Sequence, residues 1–252
     1  MLVALEPVPR VLTDRVPVEV VVLDELDRCP YIDHKTTRLT MRMPLRPLSL
    51  LEFDSRLAMG DRRHGSLLYS PDCPNCALCE AIRVDVQAFR PSKTQRRVLR
   101  SGDKLLRVEL GPTITSSERV DLYEQHLKSR KLTLPDHTPM TAAQYRSFFQ
   151  TGIIPSFEIR LMLNSNIVGI AVTDFGSTAI SAHYTYFDTS YPHLSLGTYA
   201  ILSQIRIAKE LGMQHVYLGL FVRQNTHMQY KTSFRPHDLR IDGVWQRPPE
   251  RQ

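Results

Sequence analysis

The sequence predicts an α+β fold with a regular strand and helix core in its C-terminal half and an irregular, cysteine-containing N-terminal domain. After Pro155, apolar and polar residues alternate with a period of two, which is typical of half-buried strands. Over 194–211 the apolar residues recur with a helical period instead. The first half has prolines around one short predicted helix, which favours turns and extended segments. We therefore predict two domains, 1–110 and 111–252.

Capping signatures predict helices before the core. Ser49 precedes Glu52 by three residues, and Thr141 precedes Gln144 in the same way. Such a pair satisfies two free backbone N–H groups at a helix start. Each signature therefore predicts a helix, and a third helix is predicted over 117–131.

The core elements follow in a defined order. Three strands, which we expect to pair as an antiparallel meander, precede one helix, and a further strand follows it. The predicted strands are 157–163, 167–173 and 179–187, the helix is 194–211, and the last strand is 215–220. This order is that of the acetyltransferase-like (GNAT) fold, in which an acyl donor lies across the sheet near the start of the helix.

Composition excludes several classes of protein. A chain of 252 residues with 42% hydrophobic residues can bury a substantial core, so disorder of the whole chain is not expected. No apolar run approaches the roughly 20 residues that span a bilayer, and the N-terminus lacks a signal-peptide pattern. The apolar stretch 16–23 is interrupted by Pro17 and Glu19, and we interpret it as a buried or edge strand. We expect a cytoplasmic protein without a membrane partner.

Basic residues are concentrated in one stretch of the first half. The formal net charge of +6 says little alone, but 83–107 holds eight basic residues against two acidic ones. Such a patch attracts phosphates, although a solvated surface explains it equally well. The basic residues are Arg83, Arg90, Lys93, Arg96, Arg97, Arg100, Lys104 and Arg107.

The cysteines form the sharpest compositional signal. Cys73, Cys76 and Cys79 lie within seven residues, and Cys29 lies far upstream. In a cytosolic chain this spacing does not indicate a disulfide framework. Thiolates bind tetrahedral zinc, and a close triplet with a remote fourth cysteine also holds iron–sulfur clusters. We predict zinc or an iron–sulfur cluster on these four residues, with buried reduced thiols as the alternative.

Two further segments contain candidate site residues. The loop after the third core strand reaches Gly197 at the start of the predicted helix, where free N–H groups can hold an anion or polarise a carbonyl. Close packing of helix on sheet explains this glycine equally well. After the last core strand, Tyr230, Lys231 and Arg235 bring polar and cationic groups together, with a surface loop as the alternative.

These motifs together resemble those of the bacterial aspartate/glutamate leucyltransferases and their relatives, the arginyl-tRNA–protein transferases. In the first half the matching motifs are Cys29-Pro-Tyr31, Leu45-Arg-Pro-Leu48, Gly60-Asp-Arg-Arg63 with Tyr69, the cysteine triplet, Ile82-Arg-Val-Asp85, Phe89-Arg-Pro-Ser92 and Gln95-Arg-Arg-Val-Leu-Arg100. In the second half they are Ala171-Val-Thr-Asp174, Tyr184-Thr-Tyr-Phe-Asp188, Ser195-Leu-Gly-Thr-Tyr-Ala-Ile-Leu202, Tyr217-Leu-Gly219, and Met228 with Tyr230-Lys231, Phe234 and Pro236. The chain departs from the family at Leu220-Phe221-Val222, where a tyrosine, an aromatic residue and isoleucine are common, and in its opening 27 residues.

The resemblance implies a GNAT-like acyltransferase core and aminoacyl transfer. Leucine would pass from leucyl-tRNA to the N-terminal Asp or Glu of acceptor proteins, which marks them for degradation through the N-degron pathway. The ester of the charged tRNA is already activated, so the transfer needs no ATP, cofactor or covalent enzyme intermediate. The partners implied are therefore aminoacyl-tRNA and proteins with acidic N-termini.

The resemblance and the residue chemistry together suggest roles for individual side chains. Asp188 is predicted to take up the proton, with Tyr184 and Tyr217 as positioning groups. Substrate contacts are predicted for Ser195, Gly197, Thr198 and Tyr230, and recognition of the acceptor carboxylate for Lys231 and Arg235. Phosphates of tRNA are assigned to Arg83, Arg96, Arg97 and Arg100.

Other functions remain open from the sequence. Arginine is the second candidate for the donated amino acid. An acetyltransferase that uses acetyl-coenzyme A is a third reading, although the segment 193–197 contains only one glycine where a pyrophosphate loop usually has paired glycines. A non-catalytic RNA-binding metal protein or redox sensor is the alternative from another class.

Overall fold

The structure is a computed structural model that describes residues 10–133, 137–150 and 152–249. The strands are β1 (Val11–Leu12), β2 (Glu19–Leu23), β3 (Leu26–Arg28), β4 (Thr36–Pro44), β5 (Arg62–His64), β6 (Leu67–Pro71), β7 (Cys79–Asp85), β8 (Leu106–Pro112), β9 (Ser156–Leu163), β10 (Asn166–Phe175), β11 (Ala179–Phe187), β12 (His215–Val222), β13 (His237–Ile241) and β14 (Val244–Gln246). The helices are α1 (Leu50–Ala58), α2 (Lys93–Leu105), α3 (Ser117–Ser129), α4 (Ala142–Tyr145) and α5 (Leu196–Glu210). A π-helical turn follows α4 at Arg146–Gln150, and 3₁₀ segments occupy Pro192–Leu194 and Thr226–Ser233.

The first part of the chain forms an antiparallel sheet rather than the irregular segment that the sequence predicted. Its strand order is β1-β2-β4-β6-β5, and β3 pairs with β4. The prolines do not interrupt this sheet because Pro44 and Pro71 are the last residues of β4 and β6. A proline at a strand end removes no hydrogen bond from the centre of a sheet. The predicted strand within 16–23 is confirmed as β2.

The second part is an eight-stranded mixed sheet that contains the predicted meander. Its order is β14-β13-β7-β12-β11-β10-β9-β8. Strands β9, β10 and β11 pair antiparallel, and β12 lies parallel to β11. Helix α5 connects these two strands. Parallel neighbours need such a long crossover, because a short hairpin turn joins only antiparallel strands. The order of strands, helix and parallel strand is the one predicted for a GNAT-like acyltransferase core, and the fold is α+β.

Helix α5 covers one face of the large sheet. Its buried residues include Ala200, Ile201, Ile205 and Ala208, which belong to the same helical face. Ile201, Ile205 and Ala208 pack with sheet residues such as Val216 in one apolar core. Burial of each large aliphatic side chain stabilises the fold by roughly 1.5–3 kcal/mol. The helix is therefore held firmly on the sheet, which fixes the position of its first turn.

Elements from both sides of residue 110 share the large sheet. Strand β7 lies between β12 and β13, and β8 lies beside β9 at an edge. Helix α2 packs on α5 so closely that a Cβ on Gly102 would lie 2.2 Å from Cε2 of Tyr199. The large sheet is therefore not divided at residue 110, and the division of the chain into two domains stays a prediction.

The predicted helix signals before the core are confirmed. Ser49 and Glu52 form the reciprocal capping hydrogen bonds of α1, and Thr141 and Gln144 form those of α4. The helix predicted over 117–131 is α3. Among the described helices, none is both long and apolar enough to cross a bilayer.

A buried ion pair connects the small sheet to the large one. Arg63 of β5 donates from Nε and Nη2 to the two carboxylate oxygens of Asp174 in β10, at 2.8 and 2.9 Å. The hydroxyl of Ser156 donates to the same carboxylate at 2.6 Å. Burial acts to raise the pKa of Asp174, but the Arg63 cation, His183 and the hydrogen bonds from Arg63 and Ser156 together hold that pKa below its ordinary value. The pair thus keeps its charges inside the protein.

Candidate active site

Strands β11 and β12 separate after a short parallel contact and open a gap in the large sheet. They pair only from Ala179–Ser181 to His215–Tyr217. Both strands then carry irregularities: the register of β10 with β11 skips His183, and the register of β12 with β7 shifts between Tyr217 and Leu220. Such bulges bend a strand and redirect its side chains. The gap is the place where a ligand can enter between the strands.

An outer cavity of about 580 Å³ lies at the end of β11 and the start of α5. It gathers six of the predicted site residues from three separate segments of the chain. These residues are Tyr184, Asp188, Ser195, Gly197, Thr198 and Tyr230. The wall also contains apolar side chains, among them Leu132, Phe187, Leu196 and Ile201, and the basic residues His126, Arg130 and His227.

The first turn of α5 faces this outer cavity. Ser195 precedes the helix in the left-handed conformation, with φ 49°, and its side chain makes no capping hydrogen bond. The first backbone N–H groups of a helix lack partners within the helix and carry partial positive charge. Gly197 also permits close packing, since a Cβ there would lie 2.9 Å from Cε1 of Phe187. The close packing predicted for this glycine is therefore present, and binding of an anion or a carbonyl at its N–H stays a prediction.

Asp188 directly follows β11 in the wall of the outer cavity. Its Oδ1 accepts hydrogen bonds from the backbone N–H of Ser190 at 2.9 Å and from Nε2 of Gln125 at 3.3 Å. The Ser190 hydroxyl donates to the same oxygen. These bonds orient the carboxylate without an arginine or lysine partner in the described residues.

An inner cavity of about 310 Å³ continues from the outer one into the gap between β11 and β12. The two cavities share Tyr184, Thr185, Ile201 and Tyr230, so they form one cleft. Within the described part of the chain, no carboxylate lines the inner cavity. Burial lowers the pKa of His183 in its wall to about 3, so this imidazole is neutral at neutral pH.

Lys231 brings a cation to the inner cavity. Its Nζ donates to the carbonyl oxygen of Leu220 at 2.6 Å. Burial, with a smaller effect from the nearby Arg62 cation, lowers the pKa of Lys231 to about 7. The structure therefore places Lys231 at the inner cavity, and its contact with a substrate stays a prediction.

Arg235 is not brought together with Lys231. It lines a separate cavity of about 410 Å³ with Phe221, Arg223 and Arg247, which we call the edge cavity. Its Nε donates to the carbonyl oxygen of Thr232 at 3.3 Å. Lys231 belongs to the 3₁₀ segment and Arg235 follows it, and the two residues line different cavities.

The arginine that lies beside Lys231 in the structure is Arg62, whereas the sequence had predicted Arg235. It lines the inner cavity and is only 7% exposed. The motif Gly60-Asp-Arg-Arg63 contained this residue, but two adjacent arginines give no local signal of which one faces a cavity. The alternation of side chains along β5 determines which of the two arginines faces the cavity, since neighbouring side chains point to opposite faces.

Tyr217 and Arg83 lie together outside both cavities of the cleft. The Tyr217 ring packs 5.6 Å from that of Trp245, and Nη1 of Arg83 donates to its hydroxyl at 3.4 Å. Arg83 also stacks on Trp245 and pairs with Asp238. The structure therefore does not place Tyr217 with Tyr184 and Asp188, nor Arg83 with the other predicted tRNA-binding arginines.

The other three predicted tRNA contacts share one helix. Arg96, Arg97 and Arg100 are exposed on α2. This helix packs beside α5, whose first turn borders the outer cavity. The three guanidinium groups are therefore available to an anionic polymer that reaches the cleft.

The four cysteines lie in one region but do not form a coordination group. All are half-buried free thiols. Burial raises the pKa of Cys79 to about 12, and the nearby Cys73, Cys29 and Cys76 add to this effect. The described residues contain no group of three or more His, Cys, Asp or Glu side chains arranged to hold a metal ion. The four predicted metal ligands are thus close in space but are not arranged in the coordination geometry of a metal ion.

The sequence matches a known family over most of its length. Residues 27–97 match the family model "Arginine-tRNA-protein transferase, N terminus" and residues 118–241 match "Arginine-tRNA-protein transferase, C terminus". The aspartate/glutamate leucyltransferase of Pseudoalteromonas atlantica is 40% identical over 77% of this chain and 83% of its own length. That of Aeromonas salmonicida is 31% identical over 86% of this chain and 90% of its own length.

One solved structure shows a more distant likeness. The structure of L-PGS from Bacillus licheniformis has a TM-score of 0.45 and 15% identity, and the match covers 61% of this chain and 48% of that chain. The two family models and the curated relatives are far stronger matches. The chain therefore belongs to the arginine-tRNA–protein transferase family, in the group of the bacterial aspartate/glutamate leucyltransferases.

Proposed function

We propose that this protein transfers leucine from leucyl-tRNA to the N-terminal aspartate or glutamate of acceptor proteins, in the cytoplasm, as a step of N-degron protein degradation. One observation carries the proposal for this chain: a helix N-terminus and a carboxylate border the outer cavity, which opens into a cation-lined inner cavity. An aminoacyl ester fits the first environment and an acidic side chain the second. The names of the related proteins support the same reaction.

The proposed reaction is aminolysis of an ester. The acceptor α-amine attacks the carbonyl carbon of the aminoacyl ester, a C–N bond forms, and the C–O bond to the tRNA ribose breaks. Asp188 takes the proton that the amine loses and returns it to the ribose oxygen as the C–O bond breaks. The N–H groups at the start of α5, beside Ser195, Gly197 and Thr198, stabilise the negative charge on the carbonyl oxygen. Tyr184 and Tyr230, which line both cavities, position the two substrates.

The outer cavity favours leucine over arginine as the donated residue. Its wall includes apolar side chains such as Leu132, Leu196 and Ile201. Among the described residues that line the outer cavity, Asp188 is the one carboxylate, and neutral donors already hydrogen-bond to it. The cations of the adjoining inner cavity would repel an arginine side chain. Of the three residues where the chain departs from the family, only Leu220 lines the cleft.

A transfer assay tests the function directly. Purified protein is mixed with a peptide beginning with aspartate, glutamate or asparagine and with tRNA charged with labelled leucine or arginine, or with labelled acetyl-coenzyme A. We expect label from leucyl-tRNA in the two acidic peptides. Label from arginyl-tRNA alone would assign the donor to arginine, and label from acetyl-coenzyme A alone would make the protein an acetyltransferase. Binding of tRNA without incorporation from any donor would favour the non-catalytic reading.

Asp188→Asn is expected to lower kcat by roughly 100-fold or more with little change in KM, because the loss of a general base acts on the transition state. Steady-state transfer from leucyl-tRNA to an aspartyl peptide measures both constants. Asp121→Asn is the matched control, since it removes the same charge from an exposed position of α3 outside the cleft. Retention of turnover in Asp188→Asn would assign proton uptake to another group.

The exposed arginines of α2 are expected to bind tRNA phosphates. For Arg97→Gln/Arg100→Gln, the slope of log affinity against log salt should decrease by roughly one to two, since each phosphate contact contributes about 0.7–0.9. Arg28→Gln/Arg46→Gln changes the net charge equally at exposed arginines of the small sheet and of the α1 region, and it should leave the slope unchanged. Equal slopes for the two double variants would exclude α2 as the tRNA contact.

The four cysteines keep their prediction as a metal or cluster site, separate from the transfer chemistry. They lie apart from the outer cavity, and no step of the reaction above depends on them. Metal analysis of the purified protein distinguishes zinc from iron, and visible absorption identifies a cluster. Protein free of both would leave Cys29, Cys73, Cys76 and Cys79 as reduced thiols.

A further inference from the structure

Arg62 is a buried cation without an ion-pair partner among the described residues. Its neighbour Arg63 takes both oxygens of Asp174, so that carboxylate is not available to Arg62. Asp174 is near enough to act on Arg62 only as a distant charge. An unpaired buried charge costs free energy and is retained where something outside the protein pairs with it.

Among the described residues that line the cavity around Arg62, there is a second cation and no carboxylate. Lys231 Nζ and Arg62 Nη2 lie 3.6 and 3.1 Å from the position that a Cβ on Gly219 would occupy. Both cations therefore lie next to Gly219, the one residue of β12 without a side chain. Tyr31 and Tyr69 also line the cavity, and burial raises the pKa of both phenols, so they stay neutral.

The size and position of the inner cavity suit the acidic side chain of an acceptor. A cavity of about 310 Å³ takes a short acidic side chain, and it joins the outer cavity at Tyr184 and Tyr230. A carboxylate held by Arg62 would leave the attached α-amine near this junction, beside the proposed ester site. The planar guanidinium also matches the two oxygens of a carboxylate.

We propose that Arg62 is the specificity-determining residue of the acceptor site, where its guanidinium pairs with the side-chain carboxylate of the N-terminal aspartate or glutamate and Lys231 adds a second contact. This inference rests on the proposed function and replaces Arg235 as the partner of Lys231. The same pairing excludes asparagine and glutamine, which would leave both cations buried and unpaired.

Arg62→Met tests the assignment with aspartyl and asparaginyl peptides of otherwise equal sequence. We expect kcat/KM for the aspartyl peptide to fall by at least about 30-fold, mainly through KM, while the low rate with the asparaginyl peptide is unchanged. Arg46→Met, which removes an exposed arginine paired with Glu52, is the control and should keep the full preference. An aspartyl preference that survives Arg62→Met, or an equal loss with both peptides, overturns the assignment.

Thermal unfolding separates a binding role from a structural one. Removal of an unpaired buried charge should leave the melting temperature of Arg62→Met equal to or above that of the wild type, whereas a structural arginine would lower it. A succinyl peptide, which presents the carboxylate without the amine, should stabilise the wild type and not the variant. Stabilisation by inorganic phosphate at the same concentration, without an effect of the succinyl peptide, would identify a phosphate site instead and overturn the proposal.

Arg62→Lys keeps the experiment decisive if the methionine variant does not fold. Lysine retains the charge but not the planar pair of donors, so the preference for aspartyl over asparaginyl peptide should decrease and remain measurable. An unchanged preference would overturn the assignment. A wild-type protein that labels no peptide from any charged tRNA would overturn the proposed function itself, which distinguishes the two failures.

Discussion

Asp174→Ala is expected to destabilise the protein by about 3–5 kcal/mol, because it leaves the buried guanidinium of Arg63 without its carboxylate. Both side chains are about 1% exposed, so water cannot replace the lost partner. The pair joins β5 of the small sheet to β10 of the large one. Urea unfolding of the wild type and the variant measures the difference.

Asp33→Ala provides the control for this effect. Its ion pair with Arg28 is mostly exposed, and exposed pairs contribute at most about 1 kcal/mol. The acid side of the stability curve gives an independent check. Because the pKa of Asp174 is lowered in the folded protein, its contribution is present above the unfolded pKa and is lost as the pH falls through the folded value. Equal stability losses in Asp33→Ala and Asp174→Ala would contradict the burial argument.

Gly219→Ala is expected to raise KM for aspartyl peptides by roughly tenfold and to lower stability. The residue has φ 87°, where a side chain is strained by about 1–3 kcal/mol. The added Cβ would also lie 3.1 Å from Nη2 of Arg62 and 3.6 Å from Nζ of Lys231. It would therefore move the two cations that the acceptor carboxylate is proposed to meet. Transfer kinetics with an aspartyl peptide measure the change.

Gly212→Ala separates backbone strain from crowding. Gly212 has φ 69° at the end of α5, and nothing lies within 4 Å of a Cβ there. We expect a comparable loss of stability with an unchanged KM. If both alanine variants raise KM equally, the effect comes from general strain and not from displacement of Arg62 and Lys231.

The kinds of secondary structure in the core were predictable because their signals are local. Alternation of apolar residues identified β9, the segments that follow the predicted turn after it identified β10 and β11, and the helical period identified α5. The small sheet was missed because its shortest strands have two or three residues, too few for a period to emerge. Prolines at the ends of β4 and β6 had favoured an irregular interpretation there.

The candidate site was predictable in part. Asp188, Ser195, Gly197 and Lys231 lie along the cleft, and each belongs to a motif that the family resemblance had singled out. Tyr217 belongs to such a motif as well, but its side chain points towards Trp245. A motif shows that a residue matters to the family, while the direction of its side chain depends on strand register.

The sequence by itself determined the element types of the C-terminal core, the caps of α1 and α4 and the family, since these depend on residues close together in the chain or on motifs read in order. Only the tertiary structure decided which charges are paired. Arg62 and Arg63 are adjacent in the sequence, yet Arg63 meets Asp174 and Arg62 meets the inner cavity. This pairing arises because β5, β10 and β12 are remote in the chain and come together only in the folded protein. Asp174 of β10 meets Arg63, and Arg62 is left beside Gly219 of β12.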